Sequence, residues 1–280
     1  MDRPETLYAW KGDVALAYQV IGEGPNDLLY LEGWSSNIDE AWDSPHLSSF
    51  LRGLSRHGRL ILSDKRGWGS SERFSPNDVP PFEVLTDDVL AVLAAVGSER
   101  TVVIATNMCS MLAVLFAATY PDRVSALILC DPLVNMTENE DAPGANTMAE
   151  WEDFFRRVRQ EFPLSTWWDG PTDHPEREWF LRYVRHTVAP GALIAEFRRF
   201  IATDVRAVLP LVRAPTLILV DPNGSGDTDP RNGHFAATRI PGAKVAEIDD
   251  PGGLNWLQWY GRADGILRED DRFLRELIEE

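Results

Sequence analysis

The chain has 280 residues, 44% of them hydrophobic, and a formal net charge of −17. That length and apolar content suit one large core with an insertion better than two separate domains. The negative charge repels phosphate backbones and anionic lipid surfaces, so nucleic acid and membrane drop out of the expected partners.

The start, Met1-Asp2-Arg3-Pro4-Glu5-Thr6, has no basic region followed by an apolar run, and no later stretch offers the ~20 apolar residues that a bilayer crossing requires. A soluble, cytoplasmic protein is expected. Residues 6–10 and 14–21 read as two strands of a hairpin turned by Lys11-Gly12-Asp13. Short apolar runs then recur at 28–31, 60–63, 101–105, 126–130, 216–220 and 244–248. Helical patterns such as 84–96 and 110–120 separate them, which predicts an α/β fold with a mostly parallel sheet covered on both faces.

From Asp131 to Ala214 the alternation stops. The polar run Thr137-Glu138-Asn139-Glu140-Asp141 opens this stretch, and helical pieces at 149–162, 176–186 and 190–200 carry apolar residues at helical spacing. Residues 131–214 are therefore expected to form a helical lid inserted into a core made of 1–130 and 215–280. The two cysteines, Cys109 and Cys130, fall at the ends of predicted strands and read as buried and reduced. No metal-ligand spacing and no glycine-rich nucleotide loop is present, so no metal or cofactor is expected.

Several phrases carry a resemblance. Leu31-Glu32-Gly33-Trp34 follows the third strand, and Asp64-Lys65-Arg66-Gly67-Trp68-Gly69-Ser70-Ser71 follows the fourth. Phe116-Ala117-Ala118-Thr119-Tyr120-Pro121-Asp122-Arg123-Val124 follows the fifth strand and its helix, and Ala214-Pro215-Thr216-Leu217-Ile218-Leu219 introduces the seventh. With the strand order and the place of the insertion, these resemble the α/β-hydrolase superfamily, and among its members the bacterial hydrolase-like domains that accompany cyclase or regulatory modules. The resemblance implies the α/β-hydrolase fold over nearly the whole chain.

It also implies a Gly-x-Ser-x-Gly elbow holding the nucleophile, and here the five positions read Ala105-Thr106-Asn107-Met108-Cys109. Asparagine tolerates positive φ, so Asn107 can keep the sharp turn while presenting an amide in place of a hydroxyl. The family's acid follows the seventh strand, where this chain has a loop with Asp221, Asp227 and Asp229. Its histidine follows the eighth, where Gly253 stands, and no histidine occurs after His234.

Without a serine and its base, ordinary ester hydrolysis is not expected. The backbone N–H groups of Trp34 and Met108 remain as an oxyanion-type cradle. The leading expectation is a non-hydrolytic enzyme, performing elimination, isomerisation or cyclisation on an apolar or aromatic small molecule. Asn107 would hydrogen-bond the substrate, and Glu32, Asp131 or His186 would move the proton. Trp34, Trp68, Trp167, Trp168 and Trp256 would line the crevice. A silent small-molecule binder and a hydrolase with a rearranged set such as Asp131 and His186 stay open beside it, and a homodimer is compatible with all three.

Overall fold

The computed structural model describes residues 3–33, 35–139, 145–163, 167–168, 171–224, 229–248 and 263–279. The strands are β1 (Leu7–Lys11), β2 (Val14–Ile21), β3 (Asp27–Leu31), β4 (Arg59–Ser63), β5 (Thr101–Thr106), β6 (Val124–Cys130), β7 (Thr216–Val220) and β8 (Lys244–Glu247). They form one sheet in the order β1-β2-β4-β3-β5-β6-β7-β8. The pairs β1–β2 and β2–β4 are antiparallel and all others parallel. The hairpin closes with Lys11 opposite Val14, around a glycine, Gly12, at φ 61°.

The parallel strands need helical crossovers, and the sequence supplies them. Helix α1 (Pro45–Leu54) precedes β4, α2 (Phe82–Val96) precedes β5, and α3 (Cys109–Thr119) joins β5 to β6. Between β6 and β7 come α4 (Met148–Gln160), α5 (Glu176–Thr187) and α6 (Pro190–Ile201). Helix α7 (Pro230–Arg239) precedes β8, and α8 (Ala263–Glu279) ends the chain. The sequence reading passed over α1, although Ser44 caps it by accepting the Leu47 N–H and Pro45 starts its first turn. Helix α4 opens with a full capping box between Thr147 and Glu150.

Strands β3, β5 and β7 are buried along their whole length, so two apolar layers are required, one per face. One layer gathers α2 and α3 with Leu29, Ile61, Val103 and Leu127, and includes Trp151 and Phe155 of α4 and Phe197 and Phe200 of α6. The other gathers α1 and α8 with Leu28, Leu60, Ile104 and Ile128, and includes Trp179, Phe180 and Tyr183 of α5. The helices between β6 and β7 thus divide themselves between the two layers. Each large side chain fully buried this way contributes roughly 1.5–3 kcal/mol. Among the described residues no helix is long and apolar enough to cross a membrane.

Candidate active site

The elbow is built by three consecutive residues. Strand β5 ends at Thr106, Asn107 turns into the left-handed region at φ 48°, and Met108 at φ −64° leads directly into α3. Helix α3 is buried on almost every side, so the reversal must be tight, and asparagine is among the few residues that accept this backbone state. The turn is pinned to the next strand: the Asn107 N–H donates to the Cys130 carbonyl at 2.9 Å, and the Leu133 N–H donates to the Asn107 carbonyl at 3.3 Å.

The loop after β3 docks on this elbow. The Gly33 N–H donates to Thr106 Oγ1 at 2.8 Å, and a side chain at Gly33 would put its Cβ 3.3 Å from Thr106 Oγ1 and 3.6 Å from Asn107 Cβ. A side chain there would force Thr106 to shift by a few tenths of an ångström, so glycine eases the close approach. Beneath the loop Lys65 Nζ donates to the Gly33 carbonyl at 3.0 Å and the Glu32 carbonyl at 3.3 Å, and lies 4.8 Å from the centre of the Trp68 ring. Cys109 Sγ donates to the same Gly33 carbonyl at 3.0 Å. Burial raises the Cys109 thiol pKa, which the Lys65 charge only partly offsets, so Cys109 is a structural thiol.

Of the cradle expected from sequence, Met108 is in place, with its N–H 2.8 Å from Asn107 Oδ1. The Asn107 carboxamide oxygen therefore occupies the position that a substrate oxyanion would take on that donor. Trp34 lies outside the described residues, as do Trp256, Gly253 and Asp227.

Asp131 follows β6 one position beyond the Thr106–Cys130 pair and, like Asn107, has a left-handed φ, here 41°. Just past the paired ends of adjacent strands β5 and β6 thus stand two left-handed polar residues, Asn107 and Asp131. The Asp131 Oδ1 accepts the Asp221 N–H at 2.9 Å, which ties its carboxylate to the end of β7. Asp229 instead caps α7 and pairs with Arg231, and His234 is exposed on α7.

Glu32 stands on the other side of the elbow. Its Oε2 accepts the phenol of Tyr183 at 3.0 Å, and the Tyr183 oxygen accepts the Asn37 N–H at 3.2 Å. Tyr183 is fully buried, and burial followed by the nearby charges of Glu32 and Asp64 holds its phenol well above the usual range. Sequence reasoning missed Tyr183 and chose His186 from the same helix. The structure does not bring His186 to the elbow: its ring is half exposed and bonds Glu40 Oε1 at 2.7 Å. The available signal was the apolar stripe Trp179, Phe180, Tyr183, Val184, which puts Tyr183 on the inward face of α5.

The tryptophans divide as well. Trp68 is wholly buried and packs as core under Lys65, so it lines no open crevice. Trp167 rests against Phe154 and Phe162. Trp168 packs at a tilt against Phe180 and His174 and donates its indole N–H to the Pro171 carbonyl. Asp64, also missed, is a clamp. It accepts the N–H groups of Ile38 at 3.1 Å and Ser70 at 2.8 Å, while burial raises its carboxyl to about 6. Among the described residues no group of His, Cys, Asp and Glu is arranged to hold a metal.

The family model for the alpha/beta hydrolase fold matches residues 28–259. The chain belongs to the α/β hydrolase fold family. It is 27% identical over 218 residues to the pimeloyl-[acyl-carrier protein] methyl ester esterase of Nitrosospira multiformis, covering 74% of this chain and 80% of that protein. Its fold matches the bromoperoxidase of Bacillus anthracis with a TM-score of 0.79 at 20% identity, over 97% of this chain and 100% of that one. The enol-lactonase of Burkholderia xenovorans matches with a TM-score of 0.73 at 22% identity, over 96% and 100%.

These relatives correct the functional expectation. The sequence reading put a lyase, isomerase or cyclase on this scaffold, whereas the curated relatives include esterases in several species. The protein is an enzyme of the α/β-hydrolase type. The physical reason for the error is that a missing serine removes one nucleophile without removing hydrolysis, since water can itself attack a polarised carbonyl.

Proposed function

We propose that the chain hydrolyses a carboxylic ester or lactone of a small apolar or aromatic molecule, with a carboxylate-activated water as the nucleophile. The observation that carries this reading is the Met108 N–H held 2.8 Å from a carbonyl-type oxygen, that of Asn107. A donor already aimed at such an oxygen at the end of β5 suits a substrate carbonyl that displaces it. The names of the relatives, a methyl ester esterase and an enol-lactonase, support the ester and lactone class.

In this scheme Asp131 takes a proton from water as its oxygen bonds to the carbonyl carbon, and the oxyanion gathers on the Met108 N–H. Collapse of the tetrahedral intermediate breaks the bond to the alkoxy oxygen, which takes the proton back from Asp131. The displaced Asn107 carboxamide orients the water. Glu32, tied to α5 through Tyr183, positions the loop that carries Gly33.

The test is acid release from a panel of aryl esters, methyl esters and lactones by the purified protein, with and without a serine-directed fluorophosphonate. Turnover that the reagent leaves untouched is expected. Ser110 is buried in the first turn of α3, and stoichiometric labelling there, or no turnover across the panel, would refute the reading.

A further inference from the structure

We infer that Asn107 is itself a modification site, at which water converts its side-chain carboxamide to a carboxylate and releases ammonia. The inference rests on the same oxyanion donor as the hydrolytic reading, but it concerns a different electrophile. With the Met108 N–H donating to Asn107 Oδ1 at 2.8 Å, the carbonyl that the elbow polarises is the one that belongs to the elbow.

Three observations favour attack there. The Met108 N–H, at the start of α3, already donates to the side-chain oxygen on which charge would develop during attack. The Gly33 backbone lies against one side of the Asn107 Cβ, leaving the residue 9% exposed. A carboxylate, Asp131, ends the neighbouring strand one position past the pairing of Thr106 with Cys130, where it can accept a proton from water.

The step balances without any oxidant or reductant. A water oxygen bonds to Asn107 Cγ as its proton passes to Asp131, the Cγ–Nδ2 bond breaks, and the departing nitrogen takes that proton and leaves as ammonia. The product is aspartate at position 107. A neutral apex becomes a carboxylate, and the elbow gains a negative charge beside the Met108 N–H.

Peptide mass spectrometry of the freshly purified full chain, and of the same chain aged in buffer with heavy-oxygen water, tests this directly. The expected result is exchange of the Asn107 amide for a hydroxyl with one heavy oxygen retained. It should run at least about tenfold faster in the folded protein than in the urea-unfolded chain, because the gain comes from fixed geometry. The product should be ordinary aspartate, and Asp131→Asn should slow the conversion by a similar factor.

Three results would overturn the inference. They are an intact Asn107 after prolonged ageing of the folded protein, equal rates in folded and unfolded chain, or a product dominated by isoaspartate, which would make the Met108 nitrogen the attacking group. Because the readout needs no added substrate, it fails separately from the proposed function. Ester hydrolysis by a protein whose Asn107 stays intact would sink this inference alone.

Discussion

Asp131 and Asp270 press on the same thiol and are held in opposite ways. Burial is the main reason the Cys130 pKa stands well above the usual thiol range, and both carboxylates push it further. Asp131 ends β6, with its Oδ1 fixed by the Asp221 N–H. Asp270 comes from α8, is fully buried, and neither of its oxygens has a hydrogen-bond partner among the described residues. Burial, with a smaller contribution from Glu269, raises its carboxyl to about 8. The same residue type near the same atom is in one case a supported group at the sheet's carboxyl edge and in the other an uncompensated group in an apolar layer. Support by backbone donors, and not burial alone, separates the proposed site residue from a stability liability.

The widest separation between the two should appear in turnover. Asp131→Asn keeps an acceptor for the Asp221 N–H while removing the base, so kcat for ester hydrolysis should fall about 10²–10⁴-fold, whereas Asp270→Asn should leave it essentially unchanged. Steady-state kinetics on the two purified variants checks this, and equal losses would erase the distinction.

Stability against pH should separate them next. The Asp270 carboxyl has its folded pKa raised from 3.8 to about 8, so between those values the unfolded chain has released a proton that the folded one retains. Stability should therefore fall as pH rises through that window, at up to ~1.4 kcal/mol per unit, and level off above it. Urea unfolding from pH 5 to pH 9 measures the slope, and Asp270→Asn should flatten it. A slope unchanged in that variant would mean that Asp270 is not the group responsible.

Glu32 lies between these extremes, since its Oε2 accepts from the Tyr183 side chain of α5. Tyr183→Phe removes the phenol that joins Glu32 to the Asn37 N–H, and should cost about 1–3 kcal/mol, the scale for leaving buried polar groups unpaired. In kinetics it should raise KM more than it lowers kcat, as expected for a positioning residue. Glu32→Gln, which keeps an acceptor for the phenol, should have the smallest effect, roughly less than tenfold in kcat/KM. A loss in Glu32→Gln as large as that in Asp131→Asn would move the base to Glu32.

The eight strands were legible because each is a short apolar run bounded by turn residues, and the three helices between β6 and β7 were legible from their spacing. Helix α8 was not read: its polar content is high, and Asp270 sits among the residues that turn inward. The elbow was legible because Asn107 falls between a strand and an apolar helix at a fixed offset. What sequence could not provide was distance. His186 and Tyr183 are one helical turn apart, and only packing decides which faces Glu32. Trp68 looked like a crevice residue from its loop position, yet the loop folds under Lys65 and buries it. The hydrogen bond from Met108 to Asn107 has no sequence signature, and it is the contact on which both functional readings depend.

The central claim is that water attacks the substrate carbonyl directly at the elbow, and a single turnover in heavy-oxygen water tests it most directly. With protein in excess over an aryl ester or lactone that the chain turns over, the first turnover should place the heavy oxygen in the released acid, and the intact protein mass should show no acyl adduct at any time. An acyl-protein intermediate that forms and decays with the product would contradict the account and put a protein nucleophile back at the site.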